Sequence, residues 1–175
     1  MRMTTKRNRG GPQPASRGQG LVEFAIVLPL ILLLLMGAVD FGRGIFAFNE
    51  VANAAREGGR TGIVNQTLTD IRARAAAQAI GLAVPTTVPA SCPATGGAPA
   101  ASSDPAGICI AILKPDLVTD CSSAVDKIGC VIVVSVKSTY TPLTPILGFI
   151  GTIPLSSTTR QVIEATCSGP GCTVP

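Results

Sequence analysis

A long apolar run near the N-terminus dominates the hydropathy pattern of the chain. From Leu21 to Val39 it holds 19 residues, and Glu23 is the one charged side chain among them. As an α-helix this run would be about 28 Å long, close to the thickness of a bilayer's hydrocarbon core, roughly 30 Å. Residues 28–39 have no polar face, which is unusual for a helix of a small soluble domain. The pattern predicts a transmembrane helix over residues 19–40, bent at Pro29.

The charges flanking this run predict its orientation. The net charge of +4 comes entirely from a basic leader, residues 1–18, which holds five basic residues and no acid. Such a leader is expected to stay in the cytoplasm, so the chain after about Asp40 would lie outside the membrane. The chain is only 3% aromatic and has no basic stripe interleaved with aromatic residues, so no nucleic-acid partner is expected. An ordinary signal peptide is the alternative, but the run is long and "MGA" before Val39 is a weak cleavage site.

Beyond the run, a helical period predicts that the first helix continues to about Glu57. The apolar residues recur on one stripe, which we expect to dock the outer domain: Phe41, Ile45, Phe48, Ala52 and Ala55. Gly58 and Gly59 would end the helix. A second, Ala-rich helix is predicted from Thr69 to about Ile80, capped by Thr67 or Thr69 and completing a helical region over residues 41–82. Its Arg72 and Arg74 are interpreted as solvated.

The C-terminal half predicts a small sheet. Residues 83–107 are rich in Pro, Gly, Ala and Ser and are interpreted as a loop. Strands are expected at 108–113 and 130–141, with a third through 156–165. Residues 142–155 hold three prolines and are interpreted as a connection, whose Ile146, Leu147, Phe149 and Ile150 could cap the core or touch a membrane or partner. The fold class is therefore α+β: a long helix, a second helix and an antiparallel sheet on the long helix.

Six cysteines follow the apolar run and none precedes it. They are Cys92, Cys109, Cys121, Cys130, Cys167 and Cys172. In an exported domain this even count indicates disulfides in a small β-rich region, residues 108–175, and six cysteines allow about 15 pairings. Pairing of nearest neighbours in sequence is favoured (92–109, 121–130, 167–172). No C-x2-C spacing and no histidine are present, which disfavours zinc and redox chemistry.

No catalytic group is identified, and neither a cofactor nor a metal is expected. Without histidine, Ser-His and Cys-His nucleophiles are excluded. Asp116, Asp120 and Asp126 could form a carboxylate or calcium site, but solvated loop charges are the favoured interpretation. The glycines at "GRGIF" and "REGGRTG" lack the strand–helix setting of a phosphate-binding loop.

Glu23 is the residue most indicative of function, because a carboxylate inside a membrane span is a functional-site hypothesis by default. Gly18 lies five residues before it and Phe24 follows it. With "LVEFAIVLP" and "NEVANAAREGGR", these residues resemble the TadE-like family of minor pilins or pseudopilins of tight-adherence (Flp-type) pili. The resemblance covers about 45 residues, 18–62, with a weaker echo in "LSSTTRQVIEA". It departs from the family pattern at Gly20, a second glycine near the processing site.

The resemblance implies an assembly role. A prepilin peptidase would cleave between Gly18 and Gln19, and Glu23 with Phe24 would set the register between subunits. Close helix packing is expected at Gly37, Ala38 and Gly42, where small residues allow backbones to approach. The implied partners are the membrane, other pilin-like subunits, the assembly platform and the peptidase, and the implied location is a bacterial inner membrane. The alternative is an uncleaved, single-pass envelope protein with an exported disulfide-bonded binding domain.

Overall fold

The computed structural model describes residues 18–82, 84–89, 92–97, 106–124, 126–144 and 151–165. It holds two helices, α1 (Gln19–Val64) and α2 (Leu68–Gln78), and three strands, β1 (Gly107–Leu113), β2 (Val131–Tyr140) and β3 (Ile153–Val162). The α+β class is therefore confirmed. The chain divides into two units between Val39 and Asp40. Cys167, Cys172 and the apolar residues 146, 147, 149 and 150 lie outside the described residues.

The first unit, in the part that the structure describes, is the apolar part of α1, up to Val39. By length and composition the helix Gly20–Val64 could cross a membrane: its most apolar 18-residue window has a mean hydropathy of 2.6, and none of that window is buried. Pro29 lies inside the helix, which continues past it. The large side chains of this unit are exposed throughout; Leu21 and Phe24, for example, are 71% and 62% exposed. An apolar helix surface of this kind is stable in lipid or against other helices, not in water.

The second unit packs on a different face of α1 from the one predicted. Phe41 and Phe48 are 72% and 51% exposed, so the expected aromatic stripe does not dock the domain. The buried face carries small residues instead, namely Ala47, Val51, Ala54 and Ala55. Small side chains let a sheet approach the helix backbone closely, which the wide phenylalanine rings would prevent. Of the predicted stripe, only Ala55 is fully buried.

The helix also runs further than predicted, to Val64 instead of about Glu57. Gly58 and Gly59 are inside it, and they are contact points, not a stop. A Cβ atom on Gly58 would lie 2.9 Å from Cγ1 of Val134 and 3.1 Å from Cβ of Ala75. One on Gly62 would lie 2.3 Å from Cδ1 of Ile132. The glycines are therefore needed for close approach of α1 to α2 and the sheet.

The second helix is confirmed with shifted ends. It follows Thr67 in the cap position, although no side-chain hydrogen bond caps it. Ile71 and Ala75 are fully buried in the core. The carboxylate of Glu50, on α1, accepts a hydrogen bond from the Ile80 N–H at 3.1 Å, beyond the end of α2. A side chain of α1 therefore satisfies a backbone donor next to the C-terminus of α2.

The sheet has the order β1-β2-β3 and both pairs are antiparallel. β3 starts at Ile153, earlier than expected, so the end of the predicted connection is strand. Alternate β2 residues point to two faces, and both are buried. On the helix face, Val134 meets α1 at Gly58. On the opposite face, called the outer face here, the Ser135 hydroxyl donates to the Gly96 carbonyl at 2.5 Å.

The outer face is thus covered by a short stretch of the predicted loop, residues 92–97. A disulfide between Cys92 and Cys109 attaches this stretch to β1. A second disulfide joins Cys121 to Cys130. These are two of the three nearest-neighbour pairs favoured from the sequence. Because the sheet lies between helices and this stretch, the disulfides belong to a layered core and not to a loose loop region.

A buried amide joins the end of α1 to the end of the sheet. The Gln66 side-chain amide donates to the Ala165 carbonyl at 2.9 Å and to the Gly62 carbonyl at 3.1 Å. The backbone N–H groups of Glu164 and Ala165 both donate to the Ile63 carbonyl. The chain leaving β3 is therefore fixed to the last turn of α1.

Candidate functional site

Glu23 lies in the first turns of α1, on a helix surface that is exposed all round. Its carboxylate makes no hydrogen bond or ion pair with any described residue. Phe24, the adjacent aromatic residue, is 62% exposed. An anionic group in an apolar segment needs a partner to be tolerated there, and the described chain does not supply one.

The predicted processing point coincides with the start of the helix. α1 begins at Gln19, and the Gly18 carbonyl accepts the N–H of Val22 at 3.3 Å. Gly18 is exposed, and a Cβ atom on it would meet nothing within 4 Å. The bond between Gly18 and Gln19 is thus at the N-terminal end of the apolar helix. Cleavage there remains a prediction.

The predicted packing residues form an open surface. Neither Gly37 nor Gly42 has any atom within 4 Å of the place a Cβ would take, and Ala38 is exposed. This contrasts with Gly58, Gly59 and Gly62 on the same helix, where a Cβ would collide with the domain. The glycines of α1 therefore fall into two groups, one used within the chain and one left open.

A second carboxylate, Asp40, was not singled out from the sequence beyond its polarity. It begins the second unit and is only 2% exposed. One carboxylate oxygen accepts the Leu143 N–H at 2.9 Å. The other accepts the Thr144 N–H at 2.8 Å and the Thr144 hydroxyl at 2.6 Å. The stretch that follows β2 is therefore fixed on α1 through one side chain.

Tyr140 and Arg43 complete this cluster. The Tyr140 hydroxyl donates to the Asp40 backbone carbonyl at 2.9 Å and lies 3.2 Å from the Asp40 carboxylate. The Arg43 guanidinium lies 5.9 Å from the Tyr140 ring centroid and 3.9 Å from the Asp40 carboxylate. Burial raises the pKa of Tyr140, and the hydrogen bond to Asp40 and its negative charge raise it further, while Arg43 opposes them. Sequence reasoning missed the cluster because its partners are about 100 residues apart in the chain.

Arg72 also departs from the prediction. It is 8% exposed, and its buried Nε has no hydrogen-bond partner in the described parts of the chain. Burial lowers the pKa of its guanidinium. Its neighbour Arg74 is exposed, as predicted. Position 72 follows the buried Ile71 directly, so the helical face is wider than the apolar pattern indicated.

The three loop aspartates act as turn formers. Asp116, Asp120 and Asp126 each accept the backbone N–H of the residue two positions on, at 3.0, 3.1 and 2.9 Å. Hydrogen bonds from the Thr119 side chain and backbone lower the pKa of Asp116 to about 2. All three are exposed, and no group of His, Cys, Asp or Glu within the described ranges is arranged to hold a metal ion. They form the Asx turns typical of such loops.

Comparison with known proteins identifies the N-terminal segment. Residues 18–60 match the family model described as TadE-like protein. The chain is TadE-like over this segment. The TadE-like segment contains Glu23, both groups of helix glycines except Gly62, and Asp40, so it spans the apolar helix and the start of the second unit. No curated protein and no solved structure matches the chain significantly.

Proposed function

We propose that this protein is a membrane-anchored TadE-like pilus-assembly protein, a minor pilin or pseudopilin, that packs against other pilin-like subunits through α1. The TadE-like segment and the candidate membrane helix support a pilus-associated membrane protein. The observation that carries the finer role is Glu23, which lies on the exposed apolar part of α1 and has no hydrogen-bond or ion-pair partner among the described residues. No catalytic constellation takes part in the proposal.

The physical role of Glu23 follows from charge burial. Cleavage after Gly18 would leave a free α-amino group on Gln19, four residues before Glu23. In a bundle of such helices, the carboxylate of one subunit can pair with the amino terminus of a neighbour. A buried carboxylate and a buried amino group are tolerated when they form an ion pair, whereas the same two charges buried without contact are strongly unfavourable. The pair would therefore fix the register of neighbouring subunits.

The open surface at Gly37, Ala38 and Gly42 supports the same role. Small residues in a membrane helix allow a neighbouring backbone to approach closely. A Cβ at Gly37 or Gly42 would meet no described atom within 4 Å, so these positions are available to a partner helix. In this proposal the basic leader stays in the cytoplasm until the peptidase removes it, and the second unit faces outward. The protein would be inserted in the inner membrane with its N-terminus in the cytoplasm.

N-terminal sequencing of the membrane-extracted protein tests processing. A mature start at Gln19 supports a pilin-like subunit. A start at Met1 or Met3 would favour the alternative, an uncleaved single-pass envelope protein whose disulfide-bonded domain binds a ligand. A Gly18→Val variant should accumulate with its leader if the peptidase recognises this glycine.

Replacement of Glu23 tests the register role. Glu23→Gln should lower co-purification with pilin-like subunits by about ten-fold or more, because the neighbour's amino group loses its counter-charge. Glu164→Gln, at an exposed position after β3, is the matched control and should have no effect. Assembly of Glu23→Gln at the wild-type level would refute the register role even if membrane insertion were normal.

A further inference from the structure

Among the described residues, the edge of the sheet at β1 is paired at its C-terminal end by residues 119–121 and is otherwise open. In an antiparallel strand the N–H and C=O of one residue point to the same side, and this side alternates along the chain. The Ile112 carbonyl accepts the Cys121 N–H at 2.9 Å, so the backbone N–H and C=O of Ile112 point away from β2. Ile108 and Ile110, which share its alternation, point the same way. Within the described parts of the chain, nothing pairs with the backbone of Ile110 on that side.

This edge lies in a groove with a volume of about 480 Å³. Its floor is the second half of β1, from Ile110 to Leu113. Leu68 at the start of α2 forms one wall, and Pro93 of the segment on the outer face forms the opposite one. Val118 and Asp120 lie at its far end. A strand laid in this groove could pair with the backbone of Ile110, whereas the Ile112 carbonyl is already occupied by the Cys121 N–H.

At the other edge of the sheet, β3 pairs only with β2 among the residues that the structure describes. Ile163, just beyond β3, donates its N–H to the Cys130 carbonyl and accepts the Gly129 N–H. The backbone groups of the odd-numbered residues of β3 therefore point towards β2. Thr158, Arg160 and Val162 therefore point their backbone groups outward. All three side chains are exposed. A ten-residue strand with such an edge is a template for pairing with another chain.

We propose that β3 of one copy pairs with β1 of a second copy of this chain, extending the sheet from subunit to subunit. The inference goes beyond the proposed function and does not require a pilus. If the helices of both copies lie on the same side of the joined sheet, the order β1-β2-β3 is kept and the new pair must be parallel. Because the two edges differ, the contact is heterologous and can repeat in a row or ring.

Charge complementarity favours a second copy over an unrelated peptide. Asp120 forms a bridge with Leu113, so its side chain lies on the outer face at the C-terminal end of β1. Arg160 is opposite Val133 of β2 and lies on the same face, near the C-terminal end of β3. In a parallel pair these two ends coincide. Both side chains are exposed, and neither has an ion-pair partner among the described residues.

Photocrosslinking of the full chain in membranes tests the contact. Val118, 74% exposed at the groove, is replaced by benzoylphenylalanine in a copy with one affinity tag. Illumination should join it to a second, differently tagged copy, with the adduct mapping to residues 156–162. The same probe at Arg74, exposed on α2 and not part of the groove lining, is the control and should give no such adduct.

A proline makes the test directional. Val162→Pro removes an outward N–H and leaves the inward bonds of β3 in place, as edge prolines do. In the copy without the probe, it should abolish the adduct. In the copy that carries the probe, it should leave the adduct unchanged, because that copy contributes its groove. Equal effects in both positions would overturn the proposal.

Charge reversal gives a second check. Arg160→Glu in the copy without the probe should lower the adduct yield about three-fold, as expected for an exposed ion pair. Asp120→Lys in the probe copy should restore it. An adduct with a different protein, or none, would overturn the pairing. Loss of fibre assembly with the adduct retained would instead refute the proposed function alone.

Discussion

Two carboxylates on α1, Glu23 and Asp40, are 17 positions apart and have opposite environments. Asp40 is buried and accepts hydrogen bonds from Tyr140, Leu143 and Thr144. Glu23 is exposed on an apolar surface and has no partner among the described residues. Asp40 is satisfied by folding, whereas none of the described residues pairs with Glu23. One helix thus carries a folding site at Asp40 and, at its apolar end, the carboxylate for which we propose a role in assembly.

The sharpest test of this comparison replaces each carboxylate in turn by its amide and measures the Tm. Asp40→Asn should lower the Tm of the detergent-solubilised protein by about 10 °C, because the replacement amide sets a donor against the N–H groups of residues 143 and 144. Glu23→Gln should leave the Tm unchanged. Circular dichroism during heating measures both variants. Asp126→Asn, in an exposed turn, is the control for Asp40, and a wild-type Tm for Asp40→Asn would contradict its folding role.

The two groups of glycines on α1 allow the same comparison, with a smaller expected effect on stability. Gly58→Ala should destabilise the second unit by about 1–3 kcal/mol, because the added methyl collides with Val134 and Ala75. Gly42→Ala meets open space and should instead stabilise the helix by up to about 1 kcal/mol. Denaturant unfolding followed by circular dichroism measures both. Equal destabilisation by the two variants would show that Gly42 is also packed within the chain.

Arg72 offers an intermediate case, a largely buried guanidinium whose Nε has no hydrogen-bond partner among the described residues. Arg72→Met keeps the length of the side chain and removes the unpaired Nε, so stability should rise by up to about 1 kcal/mol. Arg74→Met, on the exposed side of the same helix, should change stability by less than about 0.5 kcal/mol. The same unfolding experiment applies. Strong destabilisation by Arg72→Met would mean that the guanidinium has a partner.

The pKa of Tyr140 reports the charge of Asp40, and its change is the smallest of the expected effects. Tyr140 is the chain's single tyrosine and no tryptophan is present, so ultraviolet absorbance titrates this residue alone. Its pKa should lie above the usual 10.0 and should fall towards that value in Asp40→Asn. Since the folded-state pKa is raised, the stabilisation is complete below pH 10 and is lost as the pH rises through the higher value. An unchanged titration curve in Asp40→Asn would show that the carboxylate does not act on the phenol.

Local pattern predicted most of the elements. The 19-residue apolar run, the second helix and the β-branched stretches all fall in elements of the expected type. The TadE-like match from Gly18 confirms the resemblance that Glu23 and Phe24 indicated. These features depend on neighbouring residues, which is why periodicity and short motifs detect them.

The predictions that were wrong concern contacts between residues that are far apart in the sequence. Gly58 and Gly59 are typical of a helix end, yet the sheet needs them inside the helix. The helical spacing predicted a docking face that includes Phe41 and Phe48, but the sheet packs against the small side chains. Asp40 gave no local signal, because its partners follow β2. The arrangement of the second unit was therefore not predictable from spacing along α1 alone.

The position of Asp40 has a mechanical consequence. It is the residue at which the chain enters the second unit, so tension transmitted along the helix backbone reaches its contacts first. The bonds from Leu143 and Thr144 all end on one carboxylate, so a displacement of that side chain disturbs every one of them. Movement of the helix at Asp40 is thus coupled to the stretch that follows β2.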